Sequence, residues 1–381
     1  MALKLARRAA IAPFIVMDVL RAANERAAAG ADVLHLEIGQ PGTAAPAPVR
    51  EAARRALEED VLGYTETLGL PPLREAIARH YRDSYGAAVD PARVVVTTGS
   101  SAAFILAFLA AFEPGDRVAL AAPGYPAYRN ILTALDLVPV ELATGPAERF
   151  QPTVELLQRE RDLAGLVVAS PANPTGTMID EPTLAAIARY CAGAGIRLVS
   201  DEIYHGITYG ARAATALGMS DSAIVINSFS KYFSMTGWRI GWMVAPPDMV
   251  RAIECLAQNL FISPPSLSQH AALAAFSCHE ELRSYVARYA ENRALLLEEL
   301  PKAGLDRFAP ADGAFYLYAD IAHLTNDSSE FCRRMLREIG VAATPGIDFD
   351  PARGHQTLRL CFAGDAPTIA EAARRLTGWR R

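Results

Sequence analysis

Four short stretches of this chain end in residues that together could grip and attack one small anionic carbonyl compound. The first is Asn227-Ser228-Phe229-Ser230-Lys231, with Arg239 eight positions further on. A lysine just past the carboxyl end of a parallel strand stands where α/β sheets bind ligands. Partial burial lowers the pKa of such an amine and makes it a nucleophile toward carbonyls. Ser228 and Arg239 add a hydroxyl and a bidentate guanidinium suited to a phosphate. Alone, Lys231 would be an ordinary loop lysine, but three more stretches join it. Asp201-Glu202-Ile203-Tyr204 brings a carboxylate and a phenol, and Ser170-Pro171-Ala172-Asn173-Pro174-Thr175-Gly176 brings an amide. Thr98-Gly99-Ser100-Ser101 runs into a helix, whose opening N–H groups and dipole favour an anion. The ligand these ends describe carries a phosphate, a hydrogen-bond acceptor and an aldehyde.

Each stretch follows a short, apolar, β-branched run: Val94–Thr97, Leu166–Ala169, Arg197–Ser200 and Ile224–Asn227, with Val118–Ala121 as a further member. Runs with little polar alternation predict strands covered on both faces. Helical patterns lie between them, at Ala102–Phe112 and at Thr183–Ala192, where Leu184, Ile187, Ala188 and Cys191 share a face. Strand and helix alternating predict an α/β sheet of mostly parallel strands. Ile240–Val244 follows Ile224–Asn227 too closely for a helical crossover and is expected to be antiparallel. After about residue 275 the texture becomes α+β: a helix within Tyr285–Leu300, strands at Gly313–Ala319 and Thr357–Phe362, a helix at Ser328–Ile339. The expected division is a large ligand-binding domain over 45–275, and a small domain from 1–44 plus 276–381. Gly193-Ala194-Gly195 precedes a strand and lacks a third glycine, so it reads as a turn, not a dinucleotide loop. His205 beside Tyr204 reads as local packing.

The 381 residues, 51% hydrophobic and 21% charged, can bury a core deep enough for such a site. A net charge of -5, with basic residues only in pairs such as Arg7-Arg8, argues against a nucleic-acid partner. Cys191, Cys255, Cys278, Cys332 and Cys361 are scattered without a CxxC, which fits reduced thiols better than a disulfide frame or a zinc site. The first twelve residues show neither signal nor membrane-span character. The expectation is a soluble cytoplasmic protein with no metal and no membrane partner.

Ser-x-x-Lys followed by Met235-Thr236-Gly237-Trp238-Arg239, with Asn-Pro-Thr-Gly, Asp-x-x-Tyr and Arg359-Leu360, resembles the class I/II pyridoxal-phosphate aminotransferases of fold type I. The motifs run in the family's order from Gly39 to Arg359. The resemblance implies a mostly parallel seven-stranded sheet and pyridoxal 5'-phosphate held by Lys231 as a Schiff base. Lys231 would also shuttle a proton between substrate and cofactor. Asp201 would keep the ring nitrogen protonated, and Asn173 and Tyr204 would bind the phenolic oxygen. Gly99, Ser100, Ser101, Ser228 and Arg239 would hold the phosphate, and Tyr125 would stack on the ring. Arg359 and Gly39 would take the substrate's α-carboxylate. Tyr64 matches a tyrosine that reaches into a neighbouring subunit, which implies a homodimer with shared active sites. The substrates implied are an amino acid and a 2-oxo acid.

Two departures bear on specificity. Gly39-Gln40-Pro41-Gly42 stands where many relatives read Gly-Glu-Pro-Asp. Ser101 stands where bacterial aspartate aminotransferases of this subgroup carry a lysine for a second carboxylate. With the apolar stretch Asn259-Leu260-Phe261-Ile262 expected near the substrate side chain, these point to a neutral or aromatic amino donor. A lyase of the same fold would use the same lysine, so these residues leave transamination and C–S or β-elimination both open. A regulator on this fold would be fused to an N-terminal DNA-binding domain, for which Gly39 comes too early.

Overall fold

Strands without polar alternation need cover on both faces, and here they receive it. The computed structural model describes residues 3–379; Met1, Ala2, Arg380 and Arg381, the extreme ends of the expected small domain, lie outside the described residues. Strands are numbered β1 (Leu34–His35), β2 (Val94–Thr97), β3 (Arg117–Ala122), β4 (Val138–Ala143), β5 (Leu163–Ala169), β6 (Arg197–Asp201) and β7 (Ile224–Ser228). They continue with β8 (Gly241–Val244), β9 (Arg307–Phe308), β10 (Tyr316–Asp320), β11 (Val341–Ala342), β12 (Thr344–Pro345) and β13 (Thr357–Cys361). The main sheet has seven strands in the order β2-β8-β7-β6-β5-β3-β4. β8 pairs antiparallel with both β2 and β7, as its short connection requires, and the other pairs are parallel.

Alternate residues of each strand feed two separate cores. Val94, Val96, Leu166, Val168, Leu198, Val225 and Trp242 pack under the helices Pro71–Tyr85, Glu181–Ala194 and Ser266–Ala275. Val95, Val118, Val167, Val199, Ile226 and Met243 pack on the opposite side, under Gly99–Ala111 and Val250–Leu260. β4 escaped the sequence reading for a physical reason. It is an edge strand, with Glu141 and Ala143 exposed between and beyond the buried Val140 and Leu142 and with Pro139 near its start, so it has no continuous apolar run.

Helix ends follow side-chain chemistry. Asp180 caps Glu181–Ala194 through the Thr183 amide at 2.9 Å, a bond worth about 1 kcal/mol. Gly195 closes that helix in the left-handed region, while Gly193 belongs to its last turn, so only the end of the expected turn is non-helical.

The C-terminal part builds a second sheet, β12-β13-β10-β9, all antiparallel. The strand expected from Gly313 begins at Tyr316, and the helix expected over Tyr285–Leu300 is the end of His279–Glu299. β1 pairs parallel with β11, which ties the N-terminal segment to this part. Leu34 and Leu36 share a core with Leu317, Leu358, Leu360 and Leu376. The site lies where this smaller unit meets the carboxyl ends of β5, β6 and β7. Among the described residues no helix is long and apolar enough to cross a membrane, and no group of three or more His, Cys, Asp or Glu is placed to hold a metal.

Candidate active site

Strand ends and the N-terminal segment enclose a cavity of about 540 Å³, a size suited to a cofactor with a small substrate. Lys231, Asp201, Tyr204, Asn173, Tyr125, Ser100, Ser101, Arg239, Gly39 and Arg359 all line it. β6 ends on Asp201 and β7 on Ser228, three residues before Lys231, so parallel strands deliver carboxylate and amine side by side.

Lys231 Nζ donates to the Gly39 carbonyl at 2.5 Å. Burial, joined by the Arg359 and Arg239 charges, pushes its ammonium down to about 8, so a sizeable fraction is neutral amine near neutral pH. Asp201 accepts hydrogen bonds from the Tyr128 hydroxyl and, at 3.0 Å, from the Ile203 amide. Burial pushes its carboxyl up to about 6, against those two bonds, which favour the charged form. The Tyr204 and Tyr316 hydroxyls lie 2.6 Å apart, and burial raises both phenols, keeping them neutral.

Arg359 is the most unusual group in the cavity wall. It is 2% exposed, yet among the described residues no Asp or Glu pairs with it. Its guanidinium donates to Asn173 Oδ1 at 2.8 Å, to the Glu37 carbonyl and to Thr344 Oγ1 at 3.2 Å, while Nε has no partner. The ring of Tyr316 lies 4.4 Å from it and that of Phe349 4.7 Å. A buried cation held only by neutral acceptors is set up to receive an anion.

Across the cavity the helix Gly99–Ala111 starts with no side-chain cap, so its first amides are free for an acceptor. Gly99 has φ +74, and a Cβ there would meet Arg239 Nη2 at 2.4 Å, so only glycine lets the guanidinium lie against this turn.

Two sequence expectations meet the structure differently, at Ser228 and at the 259–262 stretch. The Ser228 hydroxyl bonds to the Ile240 carbonyl at 3.0 Å and to Ser230 Oγ at 2.8 Å, and it is Ser230 that reaches the cavity. Tyr64 is 84% exposed and lines no part of this cavity. Leu260, Phe261 and Ile262 are also exposed, at the end of Val250–Leu260, so within one chain they do not face the substrate. Apolar cover comes instead from Phe14, Val16, Met17 and Ile38. Asp348 anchors this segment by accepting from the Ile15 and Val16 amides at 3.0 and 3.2 Å. His205 is buried beside Glu202 at 3.4 Å, outside the cavity, as packing predicts. Tyr128 and Tyr316 were missed. Tyr128 had a signal, a second aromatic three residues after Tyr125, which caps the helix Pro126–Ala134; Tyr316, an aromatic in an apolar strand, reads as core.

The pattern of the aminotransferase class I and II family matches residues 31–376. The chain is 51% identical to the valine–pyruvate aminotransferase of Mycobacterium tuberculosis, covering 99% of this chain and 98% of that protein. It is also similar to a crystal structure of an aminotransferase from Mycobacterium tuberculosis, with a TM-score of 0.97, 51% identity and 99% of both chains covered. The aspartate aminotransferase of Thermus thermophilus, solved with maleate, gives a TM-score of 0.92 at 34% identity, over 99% of both chains. The chain belongs to the class I and II aminotransferases. It is an enzyme that transfers amino groups, which settles the choice left open between transamination and elimination. Members of this family use pyridoxal phosphate.

Proposed function

We propose that this enzyme binds pyridoxal 5'-phosphate and moves the amino group of a neutral L-amino acid, such as valine, to a small 2-oxo acid such as pyruvate. The observation that carries this reading is one cavity holding both a low-pKa amine, Lys231, and a buried guanidinium without a carboxylate partner, Arg359. The cofactor's parts each find suitable groups: an uncapped helix start beside Arg239 for the phosphate, Asp201 for the ring nitrogen, Tyr204 and Asn173 for the phenolic oxygen.

When bound, the cofactor supplies a conjugated ring that accepts the electron pair left as the substrate Cα–H bond breaks. Lys231 Nζ, a buried amine of lowered pKa in the cavity wall, would hold the cofactor's aldehyde and would serve as the base that moves the substrate's Cα proton. Asp201, fixed by Tyr128 and the Ile203 amide, holds a proton on the ring nitrogen. Tyr204 and the Asn173 amide donate to the phenolic oxygen; the Asn173 Oδ1 bond to Arg359 fixes which way that amide points. Tyr125 covers one ring face. Gly99, Ser100 and Ser101 with Arg239 grip the phosphate, and Ser230 meets the ligand with Ser228 behind it. Arg359, with the Gly39 backbone, binds the α-carboxylate and aligns the Cα–H bond with the ring.

For the side chain, the cavity offers Phe14, Val16, Met17 and Ile38, and Ser101 where a lysine would favour a second carboxylate. The valine–pyruvate activity named for the 51% relative supports the same substrate class. A panel of donors against pyruvate and 2-oxoglutarate tests this: valine and other neutral donors should outpace aspartate, and the reverse order would overturn the class.

The assembly proposed is a homodimer. Exposed Leu57, Val61, Tyr64, Leu260, Phe261 and Ile262 lie on neighbouring segments, linked by Thr67 Oγ1 to the Ile262 carbonyl at 2.9 Å and Ser266 Oγ to the Leu62 carbonyl at 3.2 Å. A second copy would cover this apolar surface and take Tyr64 into its phosphate site. Sedimentation velocity at micromolar concentration should find twice the chain mass, and a monomer there would refute the shared site. Five free cysteines, four of them buried, support the reducing cytoplasm as its location.

A further inference from the structure

Tyr316 touches three parts of the site at once. It opens β10 opposite Cys361 on β13, in the C-terminal sheet, and is 1% exposed. Its hydroxyl lies 2.6 Å from that of Tyr204, which belongs to the segment following β6 of the main sheet. Its ring lies 4.4 Å from the Arg359 guanidinium. A Cβ on Gly39 would fall 1.9 Å from its hydroxyl oxygen, so the Gly39 backbone that accepts from Lys231 rests directly on this phenol.

We propose that Tyr316 is a positioning residue that couples carboxylate occupancy of Arg359 to the hydroxyl of Tyr204. The inference rests on the cofactor reading above and deepens it. Two phenols sharing one hydrogen bond have one O–H left to donate elsewhere, and the more acidic phenol donates within the pair. Burial raises both groups; against it, the Arg359 charge beside the Tyr316 ring is the largest influence favouring ionisation of Tyr316, and the shared hydrogen bond lowers Tyr316 while it raises Tyr204. Tyr316 therefore donates, and Tyr204 keeps its own O–H for the cofactor's phenolic oxygen, strengthened by the bond it accepts. A carboxylate on Arg359 cancels the charge above the ring. Tyr316 then becomes the weaker donor, and Tyr204 gives less to the ring oxygen. Carboxylate binding should thus raise the pH at which the cofactor's visible band titrates.

The experiment uses the holoenzyme and 3-methylbutanoate, the valine skeleton without an amine to transfer. The visible band is titrated with and without this probe in the wild type, Y316F, Y204F and the double variant. Wild type should show an upward shift of about half a pH unit or more, and Y316F half of that or less. The probe's Kd in Y316F should stay within about threefold, because the ring under Arg359 is retained. Y204F should lose the same coupling, with the double variant adding nothing, which keeps the test intact if Y316F folds poorly. An undiminished shift in Y316F, or a Kd weakened tenfold with the shift intact, overturns the coupling while leaving the cofactor reading standing. A wild type without a visible band after loading with pyridoxal phosphate overturns both.

Discussion

Replacing Arg359 by lysine keeps the charge and removes the fork. The guanidinium now serves Asn173 Oδ1, the Glu37 carbonyl and Thr344 Oγ1 and still has an unpartnered Nε–H. An ammonium has three N–H groups on a shorter reach and no planar pair for a carboxylate. Satisfying the three protein acceptors leaves it none for the substrate, so one charge-assisted bond of about 1.5–3 kcal/mol is lost. Taking about 2 kcal/mol, KM for valine rises about 30-fold at 1.4 kcal/mol per decade. Arg359→Ala removes the whole grip, about 4 kcal/mol, or roughly 1,000-fold. Single-turnover reaction with valine, followed at the cofactor's absorbance, reads both values, and equilibrium titration reads pyridoxal phosphate affinity alongside. That affinity should hold within about threefold, since the hydrogen bonds of Arg359 go to Asn173, Glu37 and Thr344 and none goes to the groups assigned to the phosphate. A lysine variant with wild-type KM, or one whose whole loss lies in cofactor affinity, would refute the carboxylate role.

Lys231→Ala should abolish borohydride-trappable cofactor and nearly all turnover, checked by mass spectrometry of the reduced protein; a trapped adduct elsewhere would sink the assignment. Because the neutral amine attacks and burial sets its pKa near 8, the rate at which apoenzyme captures pyridoxal phosphate should climb about tenfold per unit below pH 8 and level off above it. A flat profile from pH 6.5 to 9.5 would contradict this. Asp201→Asn should retain the trapped adduct but lose about 10²–10³-fold in kcat, visible in stopped-flow half-reactions. In Gly39→Ala the new methyl must displace the Tyr316 phenol, costing about 1–3 kcal/mol in denaturant melts and raising KM, and unchanged values of both would exclude the close contact.

Sequence made the main sheet and the strand-end chemistry legible because both are local. Buried parallel strands announce themselves as apolar runs, and functional residues follow within three or four positions, as Lys231 follows β7, Tyr204 follows β6 and Asn173 follows β5. β8 was placed correctly from the length of its connection alone. What stayed hidden depends on contacts between distant segments. Phe14 and Val16 cover the cavity only because Asp348, 332 positions from Val16, accepts their helix's first amides. Ser228 and Ser230 are equally plausible ligands in a one-dimensional reading; the Ile240 carbonyl decides between them. Leu260 to Ile262 are apolar and unburied in one chain, and a single sequence carries no mark of which surface they cover.

The partners of Arg359 and Lys231 have a consequence for the order of events during synthesis. The guanidinium is held by the Glu37 carbonyl, 322 positions earlier, and the Lys231 amine by Gly39, 192 positions earlier. β1 likewise has no strand to join until Val341 has been made. A growing chain can thus complete the core of its main sheet while β1, the Glu37 carbonyl and the Ile15 and Val16 amides still lack their partners. Loop closure of that span is slow compared with local pairing. Competence to bind an amino acid therefore arrives last, when the two ends of the chain meet across a sheet that is already folded.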